Sequence, residues 1–161
     1  MVVKASEKDI PLIRSLAQQI WPRTYAELIS KEQIDYMMKM MYSEEAIKEQ
    51  MSTNHQFVVV YNSETPVGFA AYGEVEPNVF KLFKIYVLHT EQGKGTGRFI
   101  IENIIDDVQK KGANILRLNV NRDNKAKFFY EKLGFAVAKT EDIDIGNGFF
   151  MNDYVMEKRL K

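Results

Sequence analysis

Apolar residues recur at helical spacing in the first third of the chain. Ser6 and the acids that follow it mark a helix start, and the predicted helix has an apolar face formed by Ile10, Ile13, Leu16, Ala17 and Ile20. Pro22 interrupts this pattern, so we expect the helix to end at the segment 21–25. Two further helices are predicted over about residues 30–42 and 43–51.

The rest of the chain alternates short β-type runs with two amphipathic helices. Strands are predicted at about residues 2–5, 57–61, 66–75, 80–88 and 115–120, with two more after Phe135 around a turn at 146–148. One helix follows the glycines near residue 95 and ends at Gly112, and the other begins with Asn124 as its N-cap and ends at Gly134. This order indicates an α+β fold. Because no linker, repeat or low-complexity segment divides the chain, we expect a single domain over residues 1–161.

Three glycines at alternate positions separate the strand at 80–88 from the next helix. The segment Gln92-Gly93-Lys94-Gly95-Thr96-Gly97 lets the backbone approach a ligand, and the helix start attracts an anion through its free N–H groups. A Walker-type loop needs Ser or Thr after its lysine, but Gly95 follows Lys94. The dinucleotide fingerprint needs a glycine where Arg98 stands. The pattern that fits is Gln/Arg-x-x-Gly-x-Gly.

A second segment strengthens this interpretation. Residues 124–135 read Asn-x-Ala-x-x-Phe-Tyr-Glu-Lys-x-Gly-Phe. In this order and at this separation, the two segments resemble the acetyl-coenzyme A site of the GNAT superfamily of N-acetyltransferases. The resemblance covers roughly residues 80 to 135, and narrower motifs near Trp21 and at 148–156 resemble the bacterial polyamine acetyltransferase branch.

The resemblance implies a fold and a reaction. The expected fold is a mixed, mostly antiparallel sheet of about seven strands flanked by helices, with two parallel strands splayed apart to form a slot for the cofactor. The expected reaction transfers the acetyl group of acetyl-coenzyme A to a primary amine by direct attack in a ternary complex. No metal is required.

The resemblance also assigns cofactor contacts. Backbone N–H groups of the glycine segment would hold the pyrophosphate, and the strand edge before it would hydrogen-bond the pantetheine arm. Asn124 matches a further polar contact, and Lys132 would approach a coenzyme phosphate, with a solvated helix lysine as the alternative. The expected cofactor-binding residues are Tyr86, Val87, Leu88, Gln92, Gly93, Lys94, Gly95, Thr96, Gly97, Arg98, Asn124 and Lys132.

Tyr130 is the expected catalytic residue. It stands where GNAT enzymes often keep a tyrosine that protonates the leaving thiolate, and a phenol is protonated at neutral pH. The glutamate that many relatives use as a base is replaced by Lys81, which leaves Glu74 and Glu76 as substitutes and His89 as a titratable neighbour. Because an amine can also lose its proton to bulk water, the role of the base stays unassigned.

The composition excludes several classes of binding partner and covalent chemistry. The chain has 22 basic and 22 acidic residues, so no global field favours nucleic acid or an anionic membrane. The absence of cysteine excludes disulfides, thiolate metal sites and a cysteine acyl-enzyme. The first residues lack the apolar run of a signal peptide, and we therefore expect a cytoplasmic protein. His55 and His89 are too far apart in sequence to suggest a metal cluster.

The acceptor is expected to be a small-molecule amine, with a polyamine favoured. Trp21 and Tyr25 would supply aromatic surface to it, and Glu74 and Asp153 negative charge, although packing and solvated turns explain these residues equally well. Two alternatives remain open: a protein or peptide N-acetyltransferase, and a non-catalytic acyl-coenzyme A sensor. The apolar N-terminal helices could also serve a homodimer.

Overall fold

The computed structural model describes residues 1–160. Seven strands and five α-helices follow one another as β1 (Val2–Lys4), α1 (Ile10–Tyr25), α2 (Lys31–Tyr42), α3 (Glu44–Ser52), β2 (Gln56–Asn62), β3 (Thr65–Glu76), β4 (Val79–Val87), α4 (Thr96–Lys110), β5 (Ile115–Asn121), α5 (Ala126–Lys132), β6 (Ala136–Gly146) and β7 (Phe149–Arg159). Most predicted elements are present with ends shifted by one or two residues.

All strands join one sheet in the order β1-β2-β3-β4-β5-β7-β6. Neighbours are antiparallel except β4 and β5, which run parallel. Their pairing begins at Val79 with Ile115 and ends at Leu82 with Leu118, although β4 continues to Val87 and β5 to Asn121. The two strands therefore separate towards their C-terminal ends, and the predicted splayed slot is confirmed.

A β-bulge on β4 lies where this separation begins. Ala71 of β3 pairs with Lys84 and Tyr72 pairs with Leu82, so Phe83 is an extra residue on β4. Phe83 packs with the core under the N-terminal helices, and the ammonium of Lys84 lies 4.8 Å from the centre of the Tyr42 ring in the same core. The bulge thus changes the alternation of side chains and turns Lys84 towards the N-terminal helices.

The sheet separates two apolar cores. One lies against α4 and α5 and contains Ile100, Ile104, Leu116 and Met156, and the other lies against α1 to α3 and contains Ile13, Trp21, Phe57 and Phe69. Burial of these side chains on both faces fixes the sheet between two layers of helices. The slot between β4 and β5 consequently opens at the centre of the molecule.

Two details of the predicted helices were wrong. Pro22 does not interrupt helix α1, which continues through it to Tyr25, the last residue of the segment where its end was expected. Pro22 removes one backbone donor, but Trp21 is fully buried in the core, and this packing outweighs the local cost. Helix α5 begins at Ala126 rather than directly after Asn124, although the Asn124 side chain still accepts a hydrogen bond from the N–H of Ala126 at 2.9 Å.

Candidate active site

A cavity of about 650 Å³ occupies the slot between β4 and β5. Residues 83–87 of β4 and 118–120 of β5 form its walls, and the glycine segment and helix α5 close it at either side. The edge of β4 is free of parallel partners beyond Leu82. Backbone groups of β4 can therefore bond an extended ligand as a strand would.

The glycine segment presents backbone donors at the end of this cavity. Gly93 and Gly95 have φ of +82° and +80°, and a side chain at either position would meet no atom within 4 Å. Within residues 1–160, the backbone N–H groups from Gly93 to Arg98 have no protein acceptor. They lie at the start of the 15-residue helix α4 and so form a concave anion site.

Contacts around the segment hold it in place. Lys94 pairs with Glu91 at 3.3 Å, and Arg98 pairs with Glu102 at 3.5 Å. A Cβ at Gly97 would come within 3.1 Å of the Phe129 ring, so glycine lets α5 pack against the start of α4. Gln92, Gly93, Gly95, Thr96, Gly97 and Arg98 line the cavity, whereas Lys94 does not.

These features fit acetyl-coenzyme A. Free N–H groups at a helix start suit the pyrophosphate, and a strand edge without a partner suits the amide groups of the pantetheine arm. Tyr86, Val87 and Asn124 also line the cavity, whereas Leu88 and Lys132 do not. Leu88 donates its N–H to Val67 at 2.8 Å, and Lys132 is exposed on α5.

Tyr130 projects from α5 into the same cavity. Its side chain is buried, and its hydroxyl has no hydrogen-bond partner within the described residues. Burial, followed by the nearby Tyr25, raises the pKa of the Tyr130 phenol. The hydroxyl therefore keeps its proton at neutral pH and can turn towards a ligand.

A second cavity of about 410 Å³ adjoins the first from the side of the N-terminal helices. The second cavity is lined on the helix side by Trp21 of α1 and by Met37 and Met41 of α2, and on the sheet side by Met151 and Asp153 of β7. The residues that line both cavities are Tyr25, Phe83, Lys84, Tyr86 and Asn119. The two cavities thus meet at the gap between β4 and β5.

Aromatic side chains form one wall of the junction. The Tyr25 and Tyr86 hydroxyls are 2.9 Å apart, and the Trp21 indole donates to the Tyr42 hydroxyl at 3.0 Å. The Trp21 and Tyr25 rings pack with centroids 4.4 Å apart. Burial raises the pKa of Tyr25 to about 12, so it stays neutral.

Ionisable groups line the second cavity and its junction with the first. Burial lowers the pKa of Lys84 to about 8 and that of His55 to about 4. Asp153 is 2% exposed, and burial raises its pKa despite a 3.2 Å hydrogen bond from the Asn119 amide. The pKa of Lys81 is also lowered by burial.

Glu74 and Glu76 do not reach either cavity. Glu74 accepts the N–H of Asn78 at 3.1 Å, and Glu76 pairs with Arg117 at 2.8 Å. His89 lines the first cavity beside the glycine segment, away from the second cavity. Trp21, Tyr25 and Asp153 are the predicted acceptor-side residues that the fold brings together.

Lys84 and Asn119 were not singled out from the sequence. Lys84 was a lysine within an apolar strand, which is the one signal that could have marked it. The position of Lys84 depends on the bulge at Phe83, and no pattern in the sequence predicts that bulge. Asn119 lies on a strand where polar and apolar residues alternate regularly, and its place at the gap follows only from the divergence of β5 from β4.

The parting of β4 from β5 beside the glycine-rich start of α4 is the arrangement expected of an acyl-coenzyme A-dependent transferase. The profile of the acetyltransferase (GNAT) domain matches residues 25–158, and the chain belongs to that family. It is an acetyltransferase that uses acetyl-coenzyme A.

Named relatives act on different amines. The chain is 27% identical over 164 residues to a spermidine N(1)-acetyltransferase of Thermoplasma acidophilum, covering 98% of this chain and 96% of the relative. It is 26% identical over 136 residues to the ribosomal protein bS18-alanine N-acetyltransferase of Haemophilus influenzae, covering 84% and 88%. The crystal structure of PaiA N-acetyltransferase from Thermoplasma acidophilum in complex with coenzyme A has a TM-score of 0.83 and 28% identity, covering 99% and 98% of the two chains. The family thus fixes the reaction type and leaves the acceptor open.

Residues 1–160 contain neither a membrane-spanning helix nor a metal-binding cluster. No helix there is both long and apolar enough to cross a membrane. No group of three His, Cys, Asp or Glu side chains in this part of the chain could hold a metal ion.

Proposed function

We propose that the chain acetylates the primary amine of a small molecule by direct attack in a ternary complex. The observation that carries this proposal is the meeting of the two cavities at the gap between β4 and β5. A donor in the first cavity and an acceptor in the second would approach each other there without an acyl-enzyme. Acetyl-coenzyme A supplies the acetyl group as a thioester.

The residues at the gap have separate roles in this proposal. The hydroxyl of Tyr130 donates the proton that the departing thiolate needs. Asp153 holds the acceptor amine and takes its proton, since a carboxylate with a raised pKa is a better base. The Tyr25 and Tyr86 rings orient the acceptor between the two.

A polyamine is a weaker candidate on charge. The Thermoplasma relative named for spermidine supports it. A polyamine, however, carries two or more ammonium groups, and Asp153 is the only carboxylate that lines the second cavity in the described chain. Lys81 and Lys84 line the same cavity and would repel it.

Release of coenzyme A from acetyl-coenzyme A tests the proposal. The panel comprises spermidine, simple diamines, monoamines, amino acids and short peptides with free N-termini. Saturable turnover of a small amine is the expected result. Turnover of peptides alone would favour the protein acetyltransferase. Coenzyme A binding with no turnover of any acceptor would favour a sensor.

A further inference from the structure

The ammonium group of Lys84 is buried at the junction without a counter-ion. Lys84 is 4% exposed and lines both cavities. Its Nζ makes no hydrogen bond or ion pair with any residue of 1–160, and its nearest described partner is the Tyr42 ring. A buried charge is normally paired, because isolating it from water is costly. An anion brought by a ligand would supply the missing partner.

The surroundings of Lys84 add to this positive charge. Lys81 lines the second cavity as well and forms no ion pair with the described residues. His55 contributes no charge at neutral pH, because its pKa is lowered to about 4. Within residues 1–160, the cavity lining thus has two ammonium groups and one carboxylate, that of Asp153, while Glu141 of β6 acts on Lys81 and Asp153 without lining the cavity.

The second cavity also contains two hydrogen-bond acceptors without donors among the described residues. The Gln50 Oε1 and Asn119 Oδ1 atoms are buried without a hydrogen-bond partner in the described structure, and both residues line the second cavity. The Asn119 amide nitrogen is already used, since it donates to Asp153. These oxygens need donors, which an amine provides.

We propose that the acceptor is a small zwitterion, in which the amine to be acetylated and a carboxylate belong to the same molecule. The carboxylate pairs with Lys84 and, at longer range, with Lys81. The amine donates to Asn119 and Asp153 across the gap. This inference rests on the proposed function, because it names the acceptor class of the same site.

The other acceptor classes leave part of the cavity unsatisfied. A polyamine satisfies the oxygens but leaves Lys84 unpaired and adds repulsion. A monoamine also leaves Lys84 unpaired. Apolar side chains line the remaining space, which suits a zwitterion with an apolar side chain; they are Met37, Met41, Ile143, Phe150 and Met151.

Matched pairs of compounds test the carboxylate directly. Each pair comprises an amino acid and its amide, for example phenylalanine with phenylalaninamide and methionine with methioninamide, together with the decarboxylated amine. Turnover is measured by coenzyme A release, and affinity by calorimetry on the protein saturated with coenzyme A. We expect the carboxylate member to be preferred roughly ten- to a hundredfold, the range for a hydrogen bond to a charged group.

Variants of Lys84 locate the effect. Lys84→Met should raise the KM and the dissociation constant of the carboxylate member and so abolish its preference over the amide, whereas Lys84→Arg should retain part of the preference. Lys39→Met, an exposed lysine of α2 that lines neither cavity, is the matched control. Equal affinity for acid and amide would overturn the inference, as would binding of neither. A fall in kcat that is equal for both members would assign Lys84 to chemistry instead. If the wild-type protein does not bind coenzyme A, the proposed function itself is wrong.

Discussion

Replacing Lys84 by methionine should stabilise the folded chain at neutral pH. The side chain is buried, and burial lowers its pKa to about 8 from an ordinary 10.5. In the unfolded chain water solvates the Lys84 ammonium, whereas in the folded chain the ammonium is buried away from water, which disfavours its charged form. Methionine has a similar length and no charge, so it keeps most of the packing.

The magnitude follows from the two pKa values. The gap between 10.5 and about 8 corresponds to about 3 kcal/mol at pH 7. The Tyr42 ring, 4.8 Å from Nζ, offsets on the order of 1 kcal/mol of this cost. We therefore expect Lys84→Met to raise the free energy of unfolding by about 2 kcal/mol.

The sign of the pH dependence is fixed. Because folding lowers the pKa of Lys84, the destabilisation caused by its buried charge is fully present below pH 8. Between pH 8 and 10.5 the unfolded chain binds more protons than the folded chain, so this destabilisation shrinks as the pH rises. Subtracting the free energy of unfolding of the wild type from that of the variant at each pH cancels the contribution of the other titrating groups. The difference should fall by roughly half or more between pH 7 and pH 9.5.

Urea unfolding at both pH values measures this difference. Lys39→Met serves as the control, because this exposed lysine should change the free energy of unfolding little at either pH. A Lys84→Met variant that is less stable than wild type at pH 7, or a gain that does not depend on pH, would refute the reasoning.

Three further predictions concern the active site. Tyr130→Phe should lower kcat roughly ten- to ten-thousandfold while calorimetry shows unchanged coenzyme A affinity, since only the proton donor is lost; unchanged kcat would remove the assigned role. Gly95→Val should weaken coenzyme A binding at least about tenfold in the same titration, because φ of +80° at the start of α4 strains a β-branched residue; equal binding would argue against this anion site. Asp153→Asn should lower kcat/KM at neutral pH about tenfold or more and flatten its acidic limb in a pH–rate profile, because the base is lost; a profile identical to wild type would exclude Asp153 as that base.

The geometry of the glycine segment was largely predictable from the sequence. The spacing of Gly93 and Gly95 predicts their conformation, because positive φ and free N–H groups are local properties of a loop followed by a helix. The order of strands and helices was likewise local and was predicted with small errors in the ends. The exception is Pro22, where burial of the neighbouring Trp21 outweighs a local helix breaker.

The acceptor half depends on long-range pairing. The charge of Glu74 predicts a contact with the acceptor amine, but β3 places this residue beside the turn to β4, away from both cavities. Lys84 reaches the junction only because one extra residue on β4 changes the side-chain alternation. Such a register shift has no signature in a single sequence.

In the proposed reaction, acetyl-coenzyme A and the acceptor meet at the gap between β4 and β5. Two-substrate initial velocities, with acetyl-coenzyme A varied at several concentrations of the best acceptor from the panel, test it most directly. A ternary complex predicts double-reciprocal lines that intersect. Parallel lines would indicate that coenzyme A leaves a covalent acyl-enzyme before the acceptor binds, and they would rule out direct attack in a ternary complex.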